Sequence, residues 1–255
     1  MGTHGHLDHV GGNGWVKKHA PRARFALGVQ DVRWAEDVDR HYCQLYVHGF
    51  PGTWKPDAVT EEMVRAGCGE PVAIDIPLHG GEVLTFGDGR EIHAIHLGAH
   101  TPGQTMYRDV QTNFVFTGDA IQNAGTFSAE SQLRDFPMYG NPRDYRESLR
   151  IIRETPFNTV CTAHAGIFSF ESAHAFLDES LAWVDHFTER LTSIATDAGD
   201  FSFEEIVERV GQHYFDYAVV LQIRVTTAEH LNELVADGIL QPYLANGEKR
   251  WRTNV

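Results

Sequence analysis

Residues 3–12, THGHLDHVGG, concentrate three histidines and an aspartate, His4, His6, His9 and Asp8, into one short run. Imidazole nitrogens and carboxylate oxygens suit a borderline divalent cation, at about 2.0–2.2 Å from zinc. Histidines two positions apart on an extended or tightly turning segment reach one ion, and Asp8 and His9 can turn the other way toward a second. Such a loop needs further ligands from distant parts of the chain; without them it is only a polar tail. Three later segments offer them, each just after a strand-like run: HLGAHTPGQT with His100, FVFTGDA with Asp119 and VCTAHAG with His164. Loops that follow strands project their side chains over one sheet edge, where such a set can converge.

Taken in order, HGHLDH, AHTPG, TGD and TAHAG resemble the successive metal motifs of the metallo-β-lactamase superfamily over about residues 3–195. The resemblance implies that His4, His6 and His100 bind one metal and that Asp8, His9 and His164 bind the other, with Asp119 bridging. The implied cofactors are two divalent ions, zinc foremost, with iron or manganese as alternatives because imidazole and carboxylate suit all three. Two cations about 3.5–4 Å apart share a water and bring its pKa toward ~7, which yields a hydroxide able to attack a carbonyl. Asp8 would be the catalytic carboxylate that orients the nucleophile or shuttles its proton. The function expected is therefore a metal-dependent hydrolase of a small ester, thioester or lactone. The alternatives are an iron-dependent redox enzyme on the same scaffold, of the persulfide dioxygenase kind, and a catalytically impaired truncated member. His93, His96 and His174 lie outside the motifs and read as surface or hydrogen-bonded side chains.

Two departures from the family pattern narrow these expectations. The superfamily loop normally follows several strands, whereas only Met1 and Gly2 precede Thr3, so the domain reads as N-terminally truncated. Around the bridging aspartate the chain has TGDAIQNAG. Glyoxalase II-like thioesterases have a GGC-type segment there, and quorum-quenching lactonases place a tyrosine where this chain has Gln122.

Hydrophobic periodicity supplies the elements that must hold these loops. Short strand-like runs, VAIDIP, VLTFG, REIHAIHL, QTMYRD and NFVFTGD, follow one another with Gly-rich punctuation. Helical spacing appears over 31–42, over 141–154 behind Pro142, and over about 171–192, with a strand NTVCTAH between the last two. The pattern predicts an α/β sandwich with a mixed sheet over residues 1–198, and the resemblance implies that it is the metallo-β-lactamase-like αβ/βα sandwich with mixed sheets. From 199 to 255, two helical segments and QPYLANGEKRWRT, two strands around an Asn-Gly turn, predict a small winged-helix-like unit. Its Leu231, Leu234, Ile239, Leu240, Phe215, Tyr217 and Trp251 are expected to pack on the main domain or a second subunit. Connections over 43–68 and 121–140 are expected at the pocket mouth, with Tyr46, Phe50, Trp54, Phe127, Phe136 and Tyr139 as candidate substrate contacts.

The charge balance narrows the partners. With 35 acidic against 21 basic side chains the chain carries −14, which opposes nucleic acid and anionic membranes and favours a small-molecule substrate. Homo-oligomerisation stays open. Cys43, Cys68 and Cys161 form no CxxC pair, which suits neither a disulfide framework nor a thiolate zinc site and points to a reducing cytoplasm, unless a missing N-terminal segment redirects the protein.

Overall fold

The computed structural model describes residues 1–127, 134–218 and 220–254. The ligand-rich run leads into a single helical turn, α1 (Leu7–Val10), then α2 (Asn13–His19) and β1 (Ala26–Gly28). Residues 31–42, predicted as one helix, form α3 (Val32–Glu36) and α4 (Val38–His41). The break is Asp37, whose backbone is extended at φ −141° and ψ 104° and whose carboxylate accepts from Arg40 N at 2.9 Å, capping α4. A π-helical turn, Tyr42–Val47, follows. The connection expected over 43–68 is shorter than its composition suggests, because α5 (Ala58–Cys68) occupies the second half. Asp57 caps α5 by accepting from Thr60 N at 2.8 Å, and Val64 and Cys68 bury its inner face. Next, β2 (Ile76–Leu78) pairs in parallel with β1.

The main sheet is built from β3 (Val83–Thr85), β4 (Glu91–His96), β5 (Thr105–Asp109) and β6 (Phe114–Gly118). The short β7 (Thr126–Phe127) and β8 (Arg134–Asp135) lead to α6 (Pro142–Glu154), β9 (Thr159–Thr162), β10 (Ile167–Ser169) and α7 (Phe170–Ala198). The strand order is β10-β9-β6-β5-β4-β3, with β6 and β9 parallel and the other neighbours antiparallel. Because β4 and β6 both run opposite to β5, the strands β4, β6 and β9 all point the same way. Their C-terminal ends therefore share one edge, and His100, Asp119 and His164 follow those ends.

Alternation along the strands sends apolar side chains both ways. Met106, Val115 and Val160 meet Leu149 and Ile152 of α6 and Leu177 and Val184 of α7. On the other face Ile92, Ala94 and Tyr107 meet Ala26 and Leu78 of the β1-β2 pair. Each fully buried Leu or Val removes enough apolar surface from water to contribute about 1.5–3 kcal/mol. The result is the predicted α/β sandwich with a mixed sheet.

Helix α7 runs past the predicted 171–192 because Ile194 and Ala195 continue its buried stripe. Beyond it come β11 (Asp200–Ser202), α8 (Phe203–His213), β12 (Tyr217–Ala218), α9 (Val220–Ala236), β13 (Leu240–Ala245) and β14 (Glu248–Thr253). Ser202 and Glu205 form a reciprocal capping box on α8. Asn246 at φ 52° and Gly247 at φ 83° make the β13-β14 turn, a left-handed pair that matches strand twist. Helices followed by a hairpin wing give the winged-helix-like unit. It shares an apolar cluster with Phe136 and the end of α7: Phe187, Leu191, Leu231, Leu234, Leu240 and Trp251. Ile239 and Phe215, expected in that contact, are instead exposed at 39% and 83%. The basic residues of the wing are largely engaged within it. Arg250 pairs with Asp200 and Glu205, Arg252 donates to Gln241, and the Lys249 ammonium lies 4.8 Å from the Trp251 ring centre. Among the described residues no helix is long and apolar enough to cross a membrane.

Candidate metal centre

The segment ahead of His4 is clamped between two strands. Gly2 N donates to Ala26 O at 2.9 Å, Thr105 N donates to Thr3 O at 2.7 Å, and the Tyr107 hydroxyl donates to Gly2 O at 2.6 Å. Gly118 makes room for it: at φ 55° its backbone comes so close that a Cβ would stand 2.5 Å from Thr3 Oγ1. That hydroxyl lies 3.2 Å from His4 Nδ1 and 3.3 Å from His9 Nδ1, so one side chain orients two rings.

A buried carboxylate ties this loop to the loop of His100. Asp31 accepts from Gly5 N at 2.9 Å, Thr101 Oγ1 at 2.5 Å and Gly103 N at 2.8 Å. Burial pushes its carboxyl up while these three donors oppose that shift. The sequence shows Asp31 only as the first residue of a predicted helix, and nothing in its spacing marks it as the link between two candidate ligand loops.

These anchors bring together all seven side chains picked out in the sequence. His4 Nε2 and His100 Nε2 lie 3.1 and 2.9 Å from His6 Nδ1. Beside that triad, Asp8 Oδ2 lies 3.3 Å from His9 Nε2 and 3.2 Å from His164 Nε2. Asp119 Oδ2 stands between the groups, 3.8 Å from His4, 3.5 Å from His100, 3.5 Å from His9 and 3.4 Å from His164. His96 and His174 instead bond to the backbone carbonyls of Pro102 and Phe170.

The charges follow from this crowding. Burial and the neighbouring histidines hold His4 well below the usual imidazole range; burial and His100 do the same for His6. Burial opposes charge on His9, but Asp119 and Asp8 outweigh it and push His9 up to about 9. The same two carboxylates push His164 up to about 10. Burial works to raise both acids, yet the imidazoles of His164 and His9 close beside them bring Asp8 and Asp119 far below the carboxylate range.

The donor set suits a divalent cation. Lone pairs of His4, His6 and His100 converge on one another, and His9 Nε2 and Asp119 Oδ1 are buried without a hydrogen-bond partner. Convergent, unsatisfied polar atoms in a desolvated site are costly, and two cations would satisfy them together. His100 Nδ1 donates to Met138 O at 2.7 Å, which leaves Nε2 free as a ligand atom. His4, His6 and His100 form one group able to hold an ion, and Asp8, His9, Asp119 and His164 form another.

The sequence profile of the Metallo-beta-lactamase superfamily matches residues 3–164, from just before His4 to His164 itself. The chain belongs to the metallo-β-lactamase superfamily. Its structure is similar to that of a metallo-beta-lactamase family protein from Thermus thermophilus, with a TM-score of 0.70 at 20% identity over 99% of this chain and 78% of that one. It is also similar to a beta-lactamase domain protein from Burkholderia ambifaria, with a TM-score of 0.63 at 17% identity over 98% of this chain and 72% of that one. No curated protein matches the chain.

In this metallo-β-lactamase superfamily member the donor cluster opens on a cavity of about 480 Å³. Its walls include Trp34, Tyr46, Phe50, Ile121, Phe136 and Met138. Of the aromatic residues picked out in sequence, Tyr46, Phe50 and Phe136 line it. Trp54 packs edge-on against Phe50 instead, and Tyr139 is fully buried, stacked on Tyr145. Residues 128–133 of the 121–140 connection lie outside the described residues, as does the side chain of Phe127. Helix α9 adds Gln222, Val225 and Glu229 to the wall, a contribution the helical pattern alone could not reveal.

Proposed function

We propose that this protein is a hydrolase dependent on two divalent metal ions, zinc foremost, acting on a small ester, thioester or lactone. The observation that carries the reading is the pair of donor groups joined by Asp119 at the floor of a largely apolar cavity. His4, His6 and His100 would hold one ion and Asp8, His9 and His164 the other. Bound there, the pair would supply a water acidic enough to attack near neutral pH and a Lewis acid for the substrate carbonyl.

The remaining work falls to the chain. Asp8 is the most exposed carboxylate of the cluster, 3.2 Å from His164 and facing the cavity, so it can accept and pass on a proton at the reacting centre. Trp34, Phe50, Phe136 and Met138 exclude water around the acyl part of a substrate, and a polarised carbonyl interacts more strongly in such a site than in bulk water. The −14 charge and the engaged wing arginines favour a small molecule over nucleic acid. The segment after Gly199 acts in this reading as a wall of the site built onto α7.

The test is metal analysis of the purified protein followed by a panel of esters, thioesters and lactones. Two metals per chain with turnover of one of these classes is the expected result. A fully loaded protein that cleaves none of them, but consumes oxygen with a persulfide, would transfer the scaffold to the redox class.

A further inference from the structure

Helix α9 presents Gln222, Val225 and Glu229 to the cavity at positions i, i+3 and i+7, one face of the helix. That face is fixed from behind. Thr226 Oγ1 donates to Pro137 O at 2.6 Å, and His230 Nε2 and Nδ1 lie 2.7 Å from the Tyr139 hydroxyl and 3.0 Å from Thr188 Oγ1. Buried Arg224 donates to Pro51 O at 3.0 Å and to the Glu204 carboxylate. Glu229 also lines a second cavity of about 440 Å³, which shares Gly49 and Val225 with the first, so Glu229 stands where the two meet.

Its carboxylate has no counter-charge there among the described residues. Among the described residues no ion pair includes Glu229; its one side-chain partner is Asn232, which donates from Nδ2 at 3.4 Å. Arg224 on the same helix is committed to Glu204, and Lys249, which lines the second cavity, lies over Trp251. The described lining of the first cavity contains no Lys or Arg, and beyond the donor cluster its charged groups are Asp135 and Glu229. Burial raises the Glu229 carboxyl, and the long bond from Asn232 only partly opposes that shift. A partly buried carboxylate of this kind gains its compensation when a cation arrives, and in a cleft that cation comes with the ligand.

We propose that Glu229 selects substrates that carry an ammonium or guanidinium group on an apolar body. The cation sits at Glu229 and the cleavable carbonyl lies toward Asp8 and Asp119. Trp34 and Phe50 add aromatic surface that suits a cation and its alkyl chain, and a substrate with a carboxylate at the same place is repelled. This rests on the hydrolase reading and specifies its substrate class.

The probes are ω-ammonioalkanethiols of graded length and plain alkanethiols of the same lengths, titrated into zinc-loaded protein, the thiolate serving as an anchor at the metals. At the length that spans to Glu229 the ammonium compound should bind about tenfold tighter or more, the effect of a charge-assisted contact in a desolvated site. Glu229→Gln, with unchanged metal content and thermal unfolding, should remove the difference, and Glu229→Lys should favour ω-carboxylate thiols instead. Equal affinities at every length in the wild type would overturn the proposal, as would a preference that survives Glu229→Gln but disappears in Asp135→Asn. Failure of both series to bind the loaded protein would instead overturn the metal-centre reading, and this proposal with it.

Discussion

The ring of His100 donates from Nδ1 to the carbonyl oxygen of Met138 at 2.7 Å, so the orientation of one ligand depends on where residues 137–139 lie. Gln122 fixes that segment by accepting from Met138 N at 2.8 Å and donating to Met138 O at 2.9 Å. Thr226 and His230 of α9 hold Pro137 and Tyr139 on either side. The winged-helix-like unit is thereby coupled to the candidate metal centre through a few hydrogen bonds.

Replacing Gln122 with Leu should weaken metal binding about tenfold, the lower end of the effect seen when a ligand loses its outer partner. The loss should fall on the ion that His4, His6 and His100 are proposed to hold. Thr226→Val, which acts through Pro137, should give a smaller loss in the same direction. Competition titration with a chromophoric chelator measures both, and equal affinity in all three proteins would show that the segment does not control His100.

Two substitutions separate the ions. His6→Ala should reduce occupancy of one ion and spare the other, whereas Asp119→Ala should weaken both, because Asp119 Oδ2 lies between the groups. Metal content per chain after dialysis reads this directly. Two ions at full occupancy in the Asp119 variant would sink the bridging assignment.

His230 makes stability depend on pH. Burial, reinforced by Arg146, lowers its pKa to about 3, against about 6.5 in an unfolded chain. Between these values the unfolded state binds a proton that the folded state refuses. This contribution to stability is complete above about 6.5 and falls as the pH drops toward about 3. Denaturant titrations across that window, compared with His230→Gln, should show a shallower slope for the variant even though it is less stable at neutral pH. Parallel slopes would remove His230 as the source.

The wing should not bind nucleic acid. Arg250 would have to leave Asp200 and Glu205, and Arg252 would have to leave Gln241, before either met a phosphate. Fluorescence anisotropy with labelled single- and double-stranded oligonucleotides should show no affinity that falls with salt. A steep salt dependence, abolished by substituting Lys249, Arg250 and Arg252 together, would reverse this expectation.

How far the site could be read in advance follows from what each residue does. His4, His6, Asp8 and His9 advertise themselves because metal ligation needs particular atoms at short spacing, and His100, Asp119 and His164 because each follows a strand end. The sheet was legible from its period of two, and the Asn246-Gly247 turn from the left-handed backbone it requires. Asp31 was not legible: it acts through a carboxylate that reaches Gly5, Thr101 and Gly103, and its sequence neighbours do not encode that meeting. Helix α5 was obscured by the Gly, Pro and Trp around it, since local composition outweighed a cap three residues ahead of Thr60. Glu229 looked like one acidic residue on an amphipathic helix, because a helical period shows which face is buried but not what that face meets. The sequence alone determined the donor atoms and the strands behind them, since those depend on residue type and short-range periodicity. Only the tertiary structure decided that α9 walls the cavity, that residues 137–139 link it to His100, and that Glu229 faces it without a counter-charge among the described residues, since these depend on packing between distant segments.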